Sequence, residues 1–288
     1  MSARRRFLSR IPAAPVPWLT MTVLVLAALA WVAMVLLHGD GNLAVLNLIS
    51  VEPAQQGHVR HGYATGGHVL HHAPASGRWG EGALLWLSGW TIMVVAMMMP
   101  PALPFLRVMA RLVTDRPSGG RLLFMSTGTF VLTWTIAGLM LLASGELLSE
   151  AIGRIPPIAE RPFLPAGAAA VLVGGYQFTP LKKACLAACR SPASIVMTLW
   201  QAETPFLAAA AIGFRYGIVC VGCCWALMIL GIIVGALVLP IMVVSAVIMT
   251  AERMLPSVRP LIPLQAGLAG IIGFLLLSGL VPPAFVWP

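Results

Sequence analysis

Seven long apolar stretches constrain this 288-residue chain more than anything else in it; they lie at 18–37, 83–106, 122–147, 164–179, 216–235, 236–250 and 261–281. A helix needs ~20 apolar residues to cross a bilayer. Within lipid, each segment must satisfy its own backbone N–H and C=O groups, which leaves helices as the solution for runs of this kind. The fourth stretch is short, and only Gly231 and Gly235 punctuate the fifth and sixth. Composition agrees: 59% of residues are hydrophobic and only 9% charged, against about 25% charged in a soluble domain. The expected fold class is all-α, a polytopic transmembrane helical bundle of about seven spans, multi-pass in a bacterial inner membrane and surrounded by lipid.

The basic residues orient this bundle. With the N-terminus inside and the C-terminus outside, the inner segments carry thirteen Lys and Arg, whereas the outer ones carry only Arg60, Arg78, Arg154 and Arg161. An excess of that sign is what the positive-inside rule requires. The net charge of +9 is thus a topology signal and no argument for nucleic acid, which is not expected as a partner. "ARRRFLS" near the N-terminus resembles a twin-arginine export signal, but the apolar run continues through Leu37, too long for a signal core. An uncleaved first span is expected.

The unusual side chains are not scattered. All six histidines lie between the first two apolar runs: His38, then His58, His61, His68, His71 and His72 in "HVRHGYATGGHVLHHA". Clustered imidazoles in a loop rich in glycine and alanine suit capture of Cu(II), Zn or Ni, with a solvated polar loop as the bland alternative. The second run ends in "AMMMPPALP", where Met97, Met98 and Met99 lead into Pro100 and Pro101, with Pro104 a turn later. Proline deletes a backbone hydrogen bond, and broken helices of this kind recur at intramembrane binding sites. Methionine is equally a gap-filler, so packing competes with ligation there.

Cysteine makes the third cluster. "GIVCVGCCWALM" places Cys220, Cys223 and Cys224 within five residues, on neighbouring positions of one helical face that continues to Met228. Adjacent Cys223 and Cys224 are poor disulfide partners, and five cysteines in total exclude an all-paired framework. "GYQFTPLKKACLAACRSP" adds Cys185 and Cys189 at a four-residue spacing, one face of a helix. Lys182, Lys183 and Arg190 beside them are expected to lower the thiol pKa values and favour thiolate. With Arg215 and Arg107 as markers of the inner interface, Cys220–Cys224 lie roughly 8–14 Å deep and Met97–Met99 roughly 12–15 Å deep, at about 1.5 Å per residue. Two segments of opposite direction therefore bring sulfur to a similar level. Thiolate and thioether ligands select Cu(I) before hard cations; zinc would leave the methionines unused. Imidazoles outside, then thioethers and thiols, then inner thiols would suit a handover path for copper.

"AMMMPPALP", "GYQFTPLKKACLAACRSP", "GFRYGIVCVGCCWALM" and "AERMLP" together resemble domain-of-unknown-function family 2182, predicted metal-binding integral membrane proteins sometimes labelled copper chaperones. The resemblance implies metal handling through Cys185, Cys189, Cys220, Cys223 and Cys224, with Met97–Met99 and the prolines as a broken-helix element. It divides the chain into a basic N-terminus and first span (1–37), an external histidine-rich loop (38–82) outside the resemblance, a metal-handling core (83–256) and a last span (257–288).

Copper handling, as a chaperone or carrier passing Cu through Met and Cys sites to a client enzyme or membrane complex, is therefore the leading expectation. A thiol–disulfide oxidoreductase using Cys220–Cys224 with Cys185 and Cys189 as relay is the enzymatic alternative. Against it, the one C-x-x-C pair, Cys220 with Cys223, lies inside an apolar run and not in an accessible loop. A structural subunit of a larger membrane complex, with Met and Cys as packing, is the third reading. A hydrolase is not expected, because no Ser–His–Asp set falls on one side of the membrane. Buried carboxylates are not expected either, since Glu252 reads as an inner-boundary residue beside Arg253; passive transfer fits that better than pumping.

Overall fold

The computed structural model of the protein describes residues 17–39, 79–155, 163–234, 238–255 and 261–279. Nine α-helices make up the described residues: α1 (Pro17–Gly39), α2 (Trp79–Val113), α3 (Gly119–Gly153), α4 (Phe163–Tyr176), α5 (Pro180–Arg190), α6 (Pro192–Leu199), α7 (Pro205–Val234), α8 (Val238–Met254) and α9 (Leu261–Leu277). Each of the seven apolar stretches falls on a helix, and the basic segment between the fourth and fifth forms the short pair α5 and α6. Among the described residues, four helices, α1, α2, α3 and α7, are long and apolar enough to cross a membrane. The 14 residues of α4 and the 17 of α8 and α9 reach only about 21 and 26 Å at 1.5 Å per residue, short of a ~30 Å hydrocarbon core. Leu24, Val25, Leu29, Val32 and Val35 on α1 are exposed, an outward surface suited to acyl chains. His58, His61, His68, His71 and His72 lie outside the described residues.

The expected break in the second run is not present. α2 continues as one helix from Trp79 through Pro100, Pro101 and Pro104 to Val113. The three prolines withhold the hydrogen bonds that the carbonyls of residues 96, 97 and 100 would accept in a regular helix. Those same residues, Ala96, Met97 and Pro100, line an open groove of about 390 Å³ whose other walls are Trp31 of α1 and Ala246, Thr250 and Met254 of α8. Dense packing on the remaining sides, with Met98, Ala102 and Phe105 fully buried, holds the helix continuous where isolated sequence reasoning expects two halves.

α7 is the central element, packed against α3, α5, α8, α4 and α6. Its approach to α3 is set by glycine: a Cβ at Gly213 would run into the Ser126 carbonyl, and one at Gly217 into the Thr133 side chain. Small residues four apart on one helix let two backbones close to van der Waals contact, as in membrane helix pairs generally. α2 meets α7 through side chains, Phe105 stacking on Tyr216 with ring centroids 4.2 Å apart and Phe130 of α3 tilted against both. A second apolar cluster forms where α4 and α9 pack together, with Ala166, Ala170 and Val173 against Ala269, Ile272 and Leu276.

Candidate metal centre

α5 begins and ends for local reasons. Thr179 is its N-cap, its hydroxyl accepting a hydrogen bond from the Lys182 N–H at 3.2 Å, and Pro180 occupies the first turn, where its missing donor costs nothing. Ser191 and Pro192 end it and start α6. Between these stops Lys182, Leu186 and Cys189 are buried, a stripe of four- and three-residue spacing that faces α7 and α8.

Cys189 thereby reaches the α7 cluster. Its Sγ lies 3.5 Å from Cys223 Sγ, and Cys223 Sγ lies 3.2 Å from Cys224 Sγ and 3.2 Å from the Cys220 carbonyl. Cys220, Cys223 and Cys224 are buried, and all five cysteines are free thiols. Cys185, one turn earlier on α5, is half-buried and sets its sulfur against the α7 backbone at Gly222. The Tyr176 hydroxyl donates to the Gly222 carbonyl from the opposite neighbour, α4. Four of the five sequence-selected cysteines are thus gathered at one point and the fifth is beside them. Met97–Met99 are buried in the same apolar core, but on α2, which packs on α1, α3, α6 and α8; Met97 lines the groove toward α8.

At the focus of the sulfurs lies a residue that sequence reasoning assigned to the boundary. Arg253 is buried, and its Nη2 donates to Cys220 Sγ at 3.0 Å, Cys223 Sγ at 3.2 Å and Cys224 Sγ at 3.0 Å. Its neighbour Glu252, also expected at the boundary, is buried and accepts from Lys182 Nζ at 3.0 Å, with both side chains fully enclosed. α8 carries both terminal charges into the bundle, because α5 and α7 supply partners there. Arg190 of α5 also donates to the Leu255 carbonyl just past α8, a helix-end carbonyl that would otherwise lack an intrahelical donor.

The expectation that nearby lysines lower the thiol pKa values is overturned too. Lys182 spends its charge on Glu252. Burial pushes the Cys185 thiol up, with Arg215 offsetting part of it. For Cys189, the hydrogen bond with Cys220 pulls down, but the one with Cys223 and burial outweigh it, leaving the thiol well above its usual range. Among the described residues, no group of three or more His, Cys, Asp or Glu side chains is arranged so that it could hold a metal ion. Three of the sulfurs instead surround a guanidinium, with Arg253 Nη2 within 3.2 Å of Cys220, Cys223 and Cys224 Sγ.

Chemically, the cluster offers soft donors, enclosure and a fixed positive charge. A signal for Arg253 did exist in the sequence: "MTAERMLP" puts Glu and Arg directly at the end of an apolar run. Comparison with known families agrees with the motif resemblance. A family model described as PpoB2, copper chaperone, matches residues 87–276, from within α2 to the last turn of α9. No curated protein and no solved structure matches the chain.

Proposed function

The chain belongs to the PpoB2 copper-chaperone family, and on that footing we propose that it is an integral membrane protein that holds Cu(I) on a pair of thiols drawn from Cys189, Cys220, Cys223 and Cys224 and yields it to a copper-using partner. The observation that carries this reading is the convergence of sulfur from α5 and α7, with neighbouring Sγ atoms 3.2 and 3.5 Å apart. Thiolates select soft monovalent copper over hard cations. Cys185, half-buried one turn from Cys189, is the thiol through which copper enters or leaves the centre, and Met97–Met99 supply thioethers along α2. The basic residues concentrated on the α2–α3 and α5 segments support a reading in which these thiols face the inner side of a bacterial plasma membrane.

Replacing Cys220, Cys223 and Cys224 together by Ser is expected to remove stoichiometric Cu(I) from the detergent-purified, reduced protein, measured by competition with a chromophoric Cu(I) chelator. Unchanged copper content would retire the site. One second reading has an observation of its own: the 3.5 Å between Cys189 and Cys223 Sγ suits a thiol pair that cycles to a disulfide. Metal analysis with and without reductant separates the two, because thiolate coordination of Cu(I) needs the reduced state and disulfide exchange produces the oxidised one.

A further inference from the structure

The buried charges around the sulfurs do not cancel among themselves. Lys182 and Glu252 neutralise each other at 3.0 Å, which leaves the positive charge of Arg253 over. Its Nη2 points at three sulfurs, while Nε and Nη1 have no hydrogen-bond partner among the described residues. A buried charge is tolerated when it is paired and costly when it is not, and the groups Arg253 addresses are the cysteines. A guanidinium cannot give up its charge by deprotonation, as a lysine or histidine could. The thiol centre therefore contains one permanent positive charge.

We propose, building on the thiol reading above, that Arg253 is the resident counter-cation of this centre and sets its preference for a monovalent soft ion held by two thiolates. As such an ion enters, two S–H bonds break, two metal–sulfur bonds form and two protons leave to solvent. The ion (+1), two thiolates (−2) and the guanidinium (+1) then sum to zero inside the enclosure. A divalent ion in the same pair of thiolates leaves an uncompensated positive charge, and recruiting a third thiolate for it requires another proton to be expelled from a buried group. Metal–thiolate bonds of about 2.3 Å put the ion among the sulfurs that Nη2 now contacts, so the guanidinium draws back on loading and remains as the neighbouring charge. Arg253 is thus a positioning and selectivity residue, not a ligand.

The test uses the full-length protein in detergent under reducing conditions. Cu(I) affinity is read by chelator competition and Cd(II) affinity by the ultraviolet thiolate-to-metal absorption. Arg253→Gln is expected to lose about tenfold or more in Cu(I) affinity with Cd(II) affinity unchanged or raised, a collapse of the Cu(I)/Cd(II) ratio that a loss of folding would not produce. Arg253→Lys, which keeps the charge, is expected to hold that ratio within about threefold of the unmodified protein; a tenfold change corresponds to about 1.4 kcal/mol. Wild-type Cu(I) affinity in Arg253→Gln overturns the proposal, as does a collapsed ratio in Arg253→Lys. If only the lysine variant folds, its ratio decides alone. Failure of the underlying thiol reading is distinguishable, because then the unmodified protein and the triple serine variant bind Cu(I) alike.

Discussion

The α4–α9 pair is built from uniformly apolar helices, whereas the α5–α7–α8 junction includes the basic helix α5, and the two solve different problems. In the first, Gly167, Gly174 and Gly273 bring two helices together so closely that a Cβ at Gly273 would press on Val171 and on the Gly167 carbonyl. Its core is Ala, Val, Ile and Leu. In the second, three helices are tied by Lys182–Glu252, by Arg253 to three sulfurs, and by Arg190 to the Leu255 carbonyl. Close packing of small residues is sufficient to join two helices. Buried charge is a costlier fastening, and its use at one place alone of the two marks that place as chemical.

That contrast is breakable by mutation. The largest effect on stability is expected from splitting the buried ion pair: Lys182→Met alone leaves Glu252 without its partner and costs about 3–5 kcal/mol. Adding Glu252→Leu to it recovers most of the loss, as read from thermal unfolding in detergent. A double variant no better than the single one would mean that the pair is not what joins α5 to α8. Next in size, Gly273→Leu overpacks the α4–α9 contact at a cost of about 1–3 kcal/mol while Cu(I) stoichiometry stays at the unmodified value. Copper lost together with stability there would show that the two regions are not separable. The smallest effect concerns Cys185. Burial raises its thiol, so less thiolate is present at pH 8 than in a free cysteine, and alkylation is slower, accelerating as pH climbs above the ordinary thiol range. Mass spectrometry of a labelling time course checks this, with Cys189 reacting after Cys185; labelling of Cys185 at the free-cysteine rate would contradict it.

The sequence made the helical architecture legible because lipid-grade apolar runs admit one backbone solution. It also singled out the cysteines, since three thiols in five residues have few bland explanations. Two things were hidden. The meeting of Cys189 with Cys223 depends on α5 folding back along α7, a contact between positions 34 residues apart that no local pattern encodes. The burial of Lys182, Glu252 and Arg253 was misread because position beside an apolar run says where a charge starts, not where a long side chain ends. The four- and three-residue spacing of Lys182, Leu186 and Cys189 was the available clue, since it places the lysine on the same stripe as apolar neighbours. The α2 prolines misled for a related reason: their effect on one helix is predictable, but the support of surrounding helices is not.

The placement of charge on α8 bears on how the chain is assembled. Glu252 and Arg253 close a segment that, taken alone, would enter a bilayer at a penalty of about 2.5–3.5 kcal/mol per charge if carried to its centre. Their partners, Lys182 on α5 and the cysteines on α7, are synthesised earlier. A nascent chain emerging in order thus presents the receiving groups before the charges that need them, and α8 docks onto a prepared surface instead of partitioning as an independent segment.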